Sequence, residues 1–294
     1  MMITVIIPSY NSEKTIRNCL DSVQNQKYIN SYEIILVDSS TDKTPQIVNR
    51  FYPNVKLIHL DKKTDPGRAR NIGIEKANGS LIAFIDSDCI ANFDWLEKIN
   101  ERHNKGYDIV GGAVINGNSY DDIIAWAGYI AEFRDFFPEQ PGRTVNHIPT
   151  CNISYKKSIF KKYGFFNGNF YPQEDLVYNH NLFLKGEKIL FDPDILVRHF
   201  HRTRLKDFLL HQRRIGTITS RVLKKIDLDG SAIVRNPALA VCISPFLFSV
   251  KFIRTYRIIK HLNVNIPKRN KVLITFALGL IFWNIGFGLG IFEI

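Results

Sequence analysis

The sequence has 294 residues and only four cysteines, Cys19, Cys89, Cys151 and Cys242, with no Cys-x-x-Cys pair among them. That scarcity excludes a disulfide framework and fits a reducing compartment. No internal repeat or low-complexity tract is visible. With 45% hydrophobic and 23% charged residues, the chain can bury a core and is not disordered. The start, MMITVIIPSYN, lacks a basic head and a long apolar run, so no secretory signal is expected there. Acidic residues are scarce in one region. Residues 198–271 hold 17 Lys or Arg against 3 acids, so the whole basic excess of the net +11 lies there and the remainder is slightly acidic. A nucleic-acid partner is one reading of such a patch. An uncharged run that follows it, residues 272–292, favours a membrane surface instead.

The first half alternates strands and helices. Apolar runs at residues 3–10, 32–38, 55–60 and 81–85 read as strands, the last ending in Asp86-Ser87-Asp88. Between them, residues 13–26, 44–51 and 69–77 read as helices. This spacing predicts a doubly wound, mostly parallel α/β sheet. Ligands bind at the C-terminal edge of such sheets, and here that edge carries Pro8-Ser9-Tyr10, Asp38 and Asp86-Ser87-Asp88. Two carboxylates one residue apart repel unless a cation or a hydroxyl joins them. A helix-capping turn is the plain alternative for the triplet. Asp65-Pro66-Gly67-Arg68-Ala69-Arg70 opens a helix, where amides and the guanidinium groups of Arg68 and Arg70 could meet phosphate. An Asp-Pro-Gly turn with solvated arginines is the alternative for that stretch.

The segments VIIPSYN, IILVDSSTD, DPGRARNIGIEKANGSLIAFIDSDC and PQEDLVYNHNLFLKG, in this order, resemble family 2 glycosyltransferases of the GT-A fold over residues 3–201. One departure is that Ser39 follows Asp38 where the family often has a second aspartate. The resemblance implies a metal-dependent, inverting glycosyltransferase. It implies that Asp88 ligates Mn2+ or Mg2+, and that Asp86 bonds the donor ribose or reaches the metal through water. Asp38 is then expected at the nucleobase with Pro8 and Tyr10 beside it, and Gly67, Arg68 and Arg70 at the diphosphate. Asp175 is the expected general base, with Glu174 as the alternative; an acidic helix N-terminus facing the macrodipole is the structural reading of that pair. His199 is expected near the metal or diphosphate, although His201 shares its spacing, and Asn152 is expected to line the donor sugar and acceptor. Zinc is not expected, because no further His or Cys ligands accompany the histidines. Trp126 reads equally as an acceptor-cleft wall or as core packing.

The expected organisation is a catalytic GT-A domain over residues 1–205, a basic amphipathic connecting helix over 206–235, and a membrane-associated region over 236–294. Residues 237–250 contain Pro245 and are short for a span, so they are expected to be interfacial or re-entrant, or else to extend through KFIRTYRII. Residues 272–292 are expected to cross the bilayer. Basic residues between these segments place the catalytic domain on the cytoplasmic face of the cell membrane. The expected partners are a UDP- or GDP-sugar donor, a lipid-linked or polysaccharide acceptor and an anionic membrane surface, with no nucleic acid. Two rivals are a polyprenyl-phosphate sugar transferase, whose anionic acceptor needs no strong base, and an inactive membrane scaffold. A nucleotidyltransferase is disfavoured by the lack of a Gly-rich first loop followed by Arg and Lys.

Overall fold

The computed structural model describes residues 1–228 and 230–293; Ile294, the last residue of the expected membrane region, lies outside them. The chain divides into two compact units, one of residues 1–117 with 136–199 and one of residues 118–135 with 200–294.

The first unit is built on β1 (Ile3–Ser9), α1 (Ile16–Gln24), β2 (Tyr32–Asp38), α2 (Thr44–Phe51), β3 (Lys56–His59), α3 (Pro66–Lys76), β4 (Leu81–Phe84), β5 (Cys89–Ala91), α4 (Trp95–Asn104) and β6 (Ile109–Asn116). The chain then enters the second unit as α5 (Ile123–Phe133) and returns for β7 (Arg143–Val145), β8 (Ile153–Lys156), α6 (Lys157–Tyr163), α7 (Glu174–Leu184) and β9 (Ile189–His199). Strand order is β3-β2-β1-β4-β8-β6-β9-β5, with β7 beside β9. The half made of β3, β2, β1 and β4 is parallel, as the alternating pattern predicts. β1 and β4 are buried along their whole length because helices cover both faces. Beyond β4 the sheet is mixed: β8 runs antiparallel to β4 and β6, and β5 antiparallel to β9.

Two features bring α7 to the sheet. Phe84 of β4, Tyr155 of β8, Phe160, Phe166 and Tyr178 of α7 form one aromatic cluster, with Phe166 and Tyr178 centroids 4.7 Å apart. Beneath it, the Tyr155 hydroxyl donates to buried Asn179 at 2.7 Å. Nearby, Asp65 caps α3 by accepting from the Arg68 amide, and Pro66 sits in the first turn, where its missing N–H costs nothing.

The second unit is helical, comprising α5, α8 (Leu205–Lys225), α9 (Ser231–Val234), α10 (Pro237–His261) and α11 (Arg269–Phe292). The expected 1–205 domain is therefore interrupted: α5 buries Ala125, Ala127, Ile130 and Phe133 in the helical unit rather than under the sheet. Residues 237–250 are not a short segment. They form the first part of one 25-residue helix that passes through Pro245 and takes in KFIRTYRII, capped at its start by the Asn236 side chain accepting from the Leu239 amide. Both α10 and α11 are long and apolar enough to cross a membrane. Trp126 and His201 belong to this unit. Trp126 packs edge-on against Tyr120 and Tyr129, and His201 against Tyr129 and Phe133.

Candidate active site

β4 ends at Phe84, and the next residues make a turn in which the Cys89 amide donates to the Asp86 carbonyl at 3.0 Å. The triplet is thus a turn, and its geometry also builds a site. The short strand β5 that leaves the turn pairs with the end of β9, placing Cys89 opposite His199. That register carries Asp88 to His199, with Asp88 Oδ1 3.6 Å from His199 Nε2. One donor atom from each of Asp88, Cys89 and His199 lies within 4.8 Å of the others. A half-exposed carboxylate beside an imidazole suits a hard or borderline cation such as Mn2+ or Mg2+. Burial pushes the Cys89 thiol well up, with Cys151, Asp88 and Asp86 adding to the effect. His201 is not among these donors. Cys89 was invisible as a neighbour of His199 in the sequence, since only the β5–β9 pairing reveals it.

Asp86 has a different partner. Arg70 donates to Asp86 Oδ1 at 2.6 Å and to Glu174 Oε1 at 2.9 Å, and the guanidinium side chain is only 4% exposed. Arg70, expected at the diphosphate, here spends its charge on two protein carboxylates. Gly67 likewise faces protein. It is buried against α7, and a Cβ there would come 2.9 Å from Glu174 Cγ, so its smallness admits the Glu174 side chain. Arg68 does remain exposed, beside Asp65 at 3.3 Å.

Glu174 is buried at the start of α7. Burial and then Asp175 push its carboxyl up to about 7, while Arg70 pulls the other way. Enclosed and ion-paired, it is poorly placed to serve as the alternative base. Asp175 is only partly buried, and its Oδ2 accepts from the Thr150 amide at 3.1 Å and the Thr150 hydroxyl at 3.3 Å. Thr150 is a positioning residue that the sequence did not single out, because its link to Asp175 is tertiary. Cys151 hydrogen-bonds Cys89, yet burial and the charges of Asp86, Asp88 and Asp175 push its thiol up.

Asn152 does not line a ligand space. It is fully buried, its oxygen accepts from Trp95 Nε1 at 2.8 Å, and its amide donates to the Ala113 and Ile195 carbonyls. Both N–H donors and one oxygen lone pair of that side chain are taken by the scaffold. Asp38 is also fully buried: it accepts from the amide and hydroxyl of Ser40 and meets His59 Nδ1 at 2.8 Å. The carboxylate expected at the nucleobase is thus turned into the protein, and His59, 38% exposed, is the polar group on its outer side. Pro8 is buried opposite Val37, whereas Tyr10 is exposed, with Lys63 Nζ 4.2 Å above its ring.

The family model described as Glycosyl transferase family 2 matches residues 4–164. Glycosyltransferase AglE of Haloferax volcanii is 30% identical over 224 residues, covering 73% of this chain and 71% of that protein. The crystal structure of Staphylococcus aureus TarS 1–349 in complex with UDP-GlcNAc superposes with a TM-score of 0.55 at 19% identity, covering 98% of this chain and 90% of that one. GalNAc-T7 with UDP, GalNAc and Mn2+ gives 0.56 at 18% identity, covering 69% of this chain and 44% of the other. The fold is GT-A, and the chain belongs to glycosyl transferase family 2.

Proposed function

We propose that this enzyme transfers a sugar, with inversion, from a UDP- or GDP-sugar to a hydroxyl of a lipid-linked or polysaccharide acceptor, using Mn2+ or Mg2+. The observation that carries this reading is the convergence of Asp88 with His199 at the β5–β9 ladder, in a cluster whose third donor is Cys89. The UDP-GlcNAc bound to TarS and the Mn2+ bound to GalNAc-T7 support a nucleotide-sugar donor and a divalent cation.

Asp88 and His199 would hold the cation, which when bound offsets the negative charge on the departing nucleotide diphosphate. Asp86, already paired with Arg70, contributes its remaining oxygen to the donor ribose or to a water beside the metal. Arg68 is the exposed guanidinium available to the diphosphate, and Tyr10 and His59 are the groups available to the base. Asp175, held by Thr150, accepts the proton of the acceptor hydroxyl as that oxygen attacks the anomeric carbon. The bond from that carbon to the diphosphate oxygen breaks on the opposite side, so the configuration inverts. The apolar faces of α10 and α11 attach the enzyme to a membrane, with the catalytic unit on the cytoplasmic face, where nucleotide sugars are made.

The test is a panel of UDP- and GDP-sugars offered to the purified chain with Mn2+, Mg2+ or excess chelator, following nucleotide release and thermal stabilisation. One nucleotide family should be released only with metal present. Release unaffected by chelator would sink the metal reading, and no response to any donor would sink the sugar-nucleotide reading.

A further inference from the structure

The helical unit poses a problem for a spanning α11. α8 and α11 lie side by side in the same direction along most of their length. Phe208 and Gln212 of α8 face Gly279, Arg213 faces Gly286, and Thr217 and Ser220 face Gly290. The fit is backbone to backbone: Gly216 and Gly286 have no room for a Cβ, being filled by the Trp283 and Arg213 carbonyls, and Thr217 Oγ1 donates to the Gly286 carbonyl at 3.0 Å. Beyond the helix end, Arg221 and Lys224 both bond Glu293. α8 cannot therefore be left in water while α11 enters hydrocarbon alone.

The charges on the partners of α11 fall at its middle. Arg213, against Gly286, and Arg214 beside it are exposed, and Lys251 of α10 lies 3.5 Å above the Trp283 ring. If α11 stood upright in a bilayer, the Arg213 and Arg214 cations would sit within its hydrocarbon stretch, at a cost of up to about 2.5–3.5 kcal/mol each on insertion scales. α11 is nonetheless two-faced. Its buried face holds Phe276, Leu280, Trp283 and Phe287, while Ile274, Leu278, Ile281, Ile285, Leu289 and Phe292 form an exposed stripe with spacings of three and four. Phe246, Val250 and Ile253 of α10 are exposed at the same spacing, and one groove lined by Pro245, Phe248, Ile281, Asn284 and Ile285 joins the two helices. Basic residues flank the apolar surface: Arg257 and Lys260 near the end of α10, and Lys271 at the start of α11, are all exposed.

We propose that α10 and α11 form an in-plane membrane anchor that sinks this apolar face into an anionic phospholipid surface, with neither helix crossing the bilayer. On this proposal an in-plane helix takes the place of the expected span over residues 272–292. The proposal rests on the reading that the enzyme attaches to a membrane. A two-faced helix pair with basic flanks is the composition that binds at an interface, where apolar burial and attraction to anionic headgroups add.

The experiment uses the full chain with Cys242→Ser, since Cys242 is exposed and the other three cysteines are buried. Single cysteines are introduced as Asn270→Cys and Glu293→Cys, at the two ends of α11, and treated in intact cells and after permeabilisation with an impermeant thiol reagent. An in-plane helix gives the same response at both ends; opposite responses overturn the proposal. In parallel, the purified chain is floated with preformed vesicles of phosphatidylcholine alone or with about 30% phosphatidylglycerol. Flotation should require the anionic lipid and weaken in high salt. Ile281→Glu with Ile285→Glu should reduce it at least ~10-fold while leaving the unfolding midpoint nearly unchanged, because both side chains are exposed. Equal flotation of that double variant overturns the lipid-facing assignment. A chain that never enters the membrane fraction, including one that pairs two copies through this face, overturns both the anchor and the membrane attachment. Sugar transfer is read separately, by nucleotide release in solution.

Discussion

Asp86 and Glu174 share one guanidinium. Arg70 donates to Asp86 at 2.6 Å and to Glu174 at 2.9 Å, so the turn after β4 and the N-terminus of α7 are joined by a buried ion triad. Asp86 and Glu174, with Asp175 adding at longer range, keep Arg70 charged against the desolvation that opposes it. The triad thereby ties the position of the Asp86-Ser87-Asp88 turn to the helix that carries Asp175.

Arg70→Met should destabilise the fold by about 1–3 kcal/mol, because the hydrogen bonds to Asp86 and Glu174 are lost and Glu174, already raised to about 7, must take up a proton. Adding Glu174→Met to that variant should recover part of the loss, since the enclosed carboxyl left without its partner is removed. Denaturant unfolding of the single and double variants measures both. A loss under about 1 kcal/mol for Arg70→Met would mean that the triad is dispensable.

Metal affinity should follow the β5–β9 geometry. Asp88→Asn and His199→Gln are each expected to weaken Mn2+ binding at least ~10-fold and to abolish metal-dependent nucleotide release. Asp86→Asn should weaken Mn2+ less, because Arg70 already engages that carboxylate. Calorimetric titration of Mn2+ into the donor-free protein reads affinity apart from activity. An equal loss at all three positions would show that Asp86 is a direct ligand.

Acid sensitivity has a source away from the site. Glu33 accepts from the Thr4 hydroxyl at 2.6 Å, the Asn78 amide at 2.6 Å and the Asn78 side chain at 2.9 Å. Burial raises its carboxyl, but these hydrogen bonds outweigh burial and hold it below its ordinary value of 4.5. The folded chain then binds fewer protons at this site than the unfolded chain. The contribution is complete above about pH 4.5 and is lost as pH falls through the lower folded value. Glu33→Gln should therefore lower stability at pH 7 by about 1–2 kcal/mol, the scale of hydrogen bonds to a charged acceptor. The deficit should shrink below pH 4; a deficit that stays constant with pH would assign the loss to packing.

The parallel half of the sheet was legible because β1, β2 and β4 are apolar on both faces and alternate with amphipathic helices such as α1, which buries Ile16, Cys19, Leu20 and Val23. The Asp86-Ser87-Asp88 turn and the Glu174-Asp175 helix start were legible as local patterns. What failed was tertiary. Arg70 looks like a phosphate ligand until Glu174 closes over it, and Asn152 looks like a cleft residue until Trp95, Ala113 and Ile195 occupy its amide. The assignment of α5 to the helical unit was equally hidden, since an apolar helix reads the same against a sheet or against other helices. Pro245 suggested a break, but a proline removes one backbone hydrogen bond, and α10 continues on either side of it.

The last prediction separates chemistry from binding at Asp175. Its Oδ2 is oriented by the amide and hydroxyl of Thr150, a geometry that fixes the carboxylate while leaving it partly exposed. Asp175→Asn keeps size and one acceptor oxygen but loses the basicity needed to take a hydroxyl proton. Turnover should fall ~10²-fold or more, the scale of losing a general base, with donor affinity near wild type. Thr150→Val should give a smaller loss in turnover, because the amide bond to Asp175 survives while the hydroxyl bond does not. Donor affinity and turnover are measured separately, by calorimetry with the nucleotide sugar and by single-turnover transfer. If donor affinity collapses together with turnover, Asp175 is a donor contact or a structural group. If turnover survives in Asp175→Asn, the acceptor is already an anion, and transfer to a polyprenyl phosphate replaces transfer to a hydroxyl.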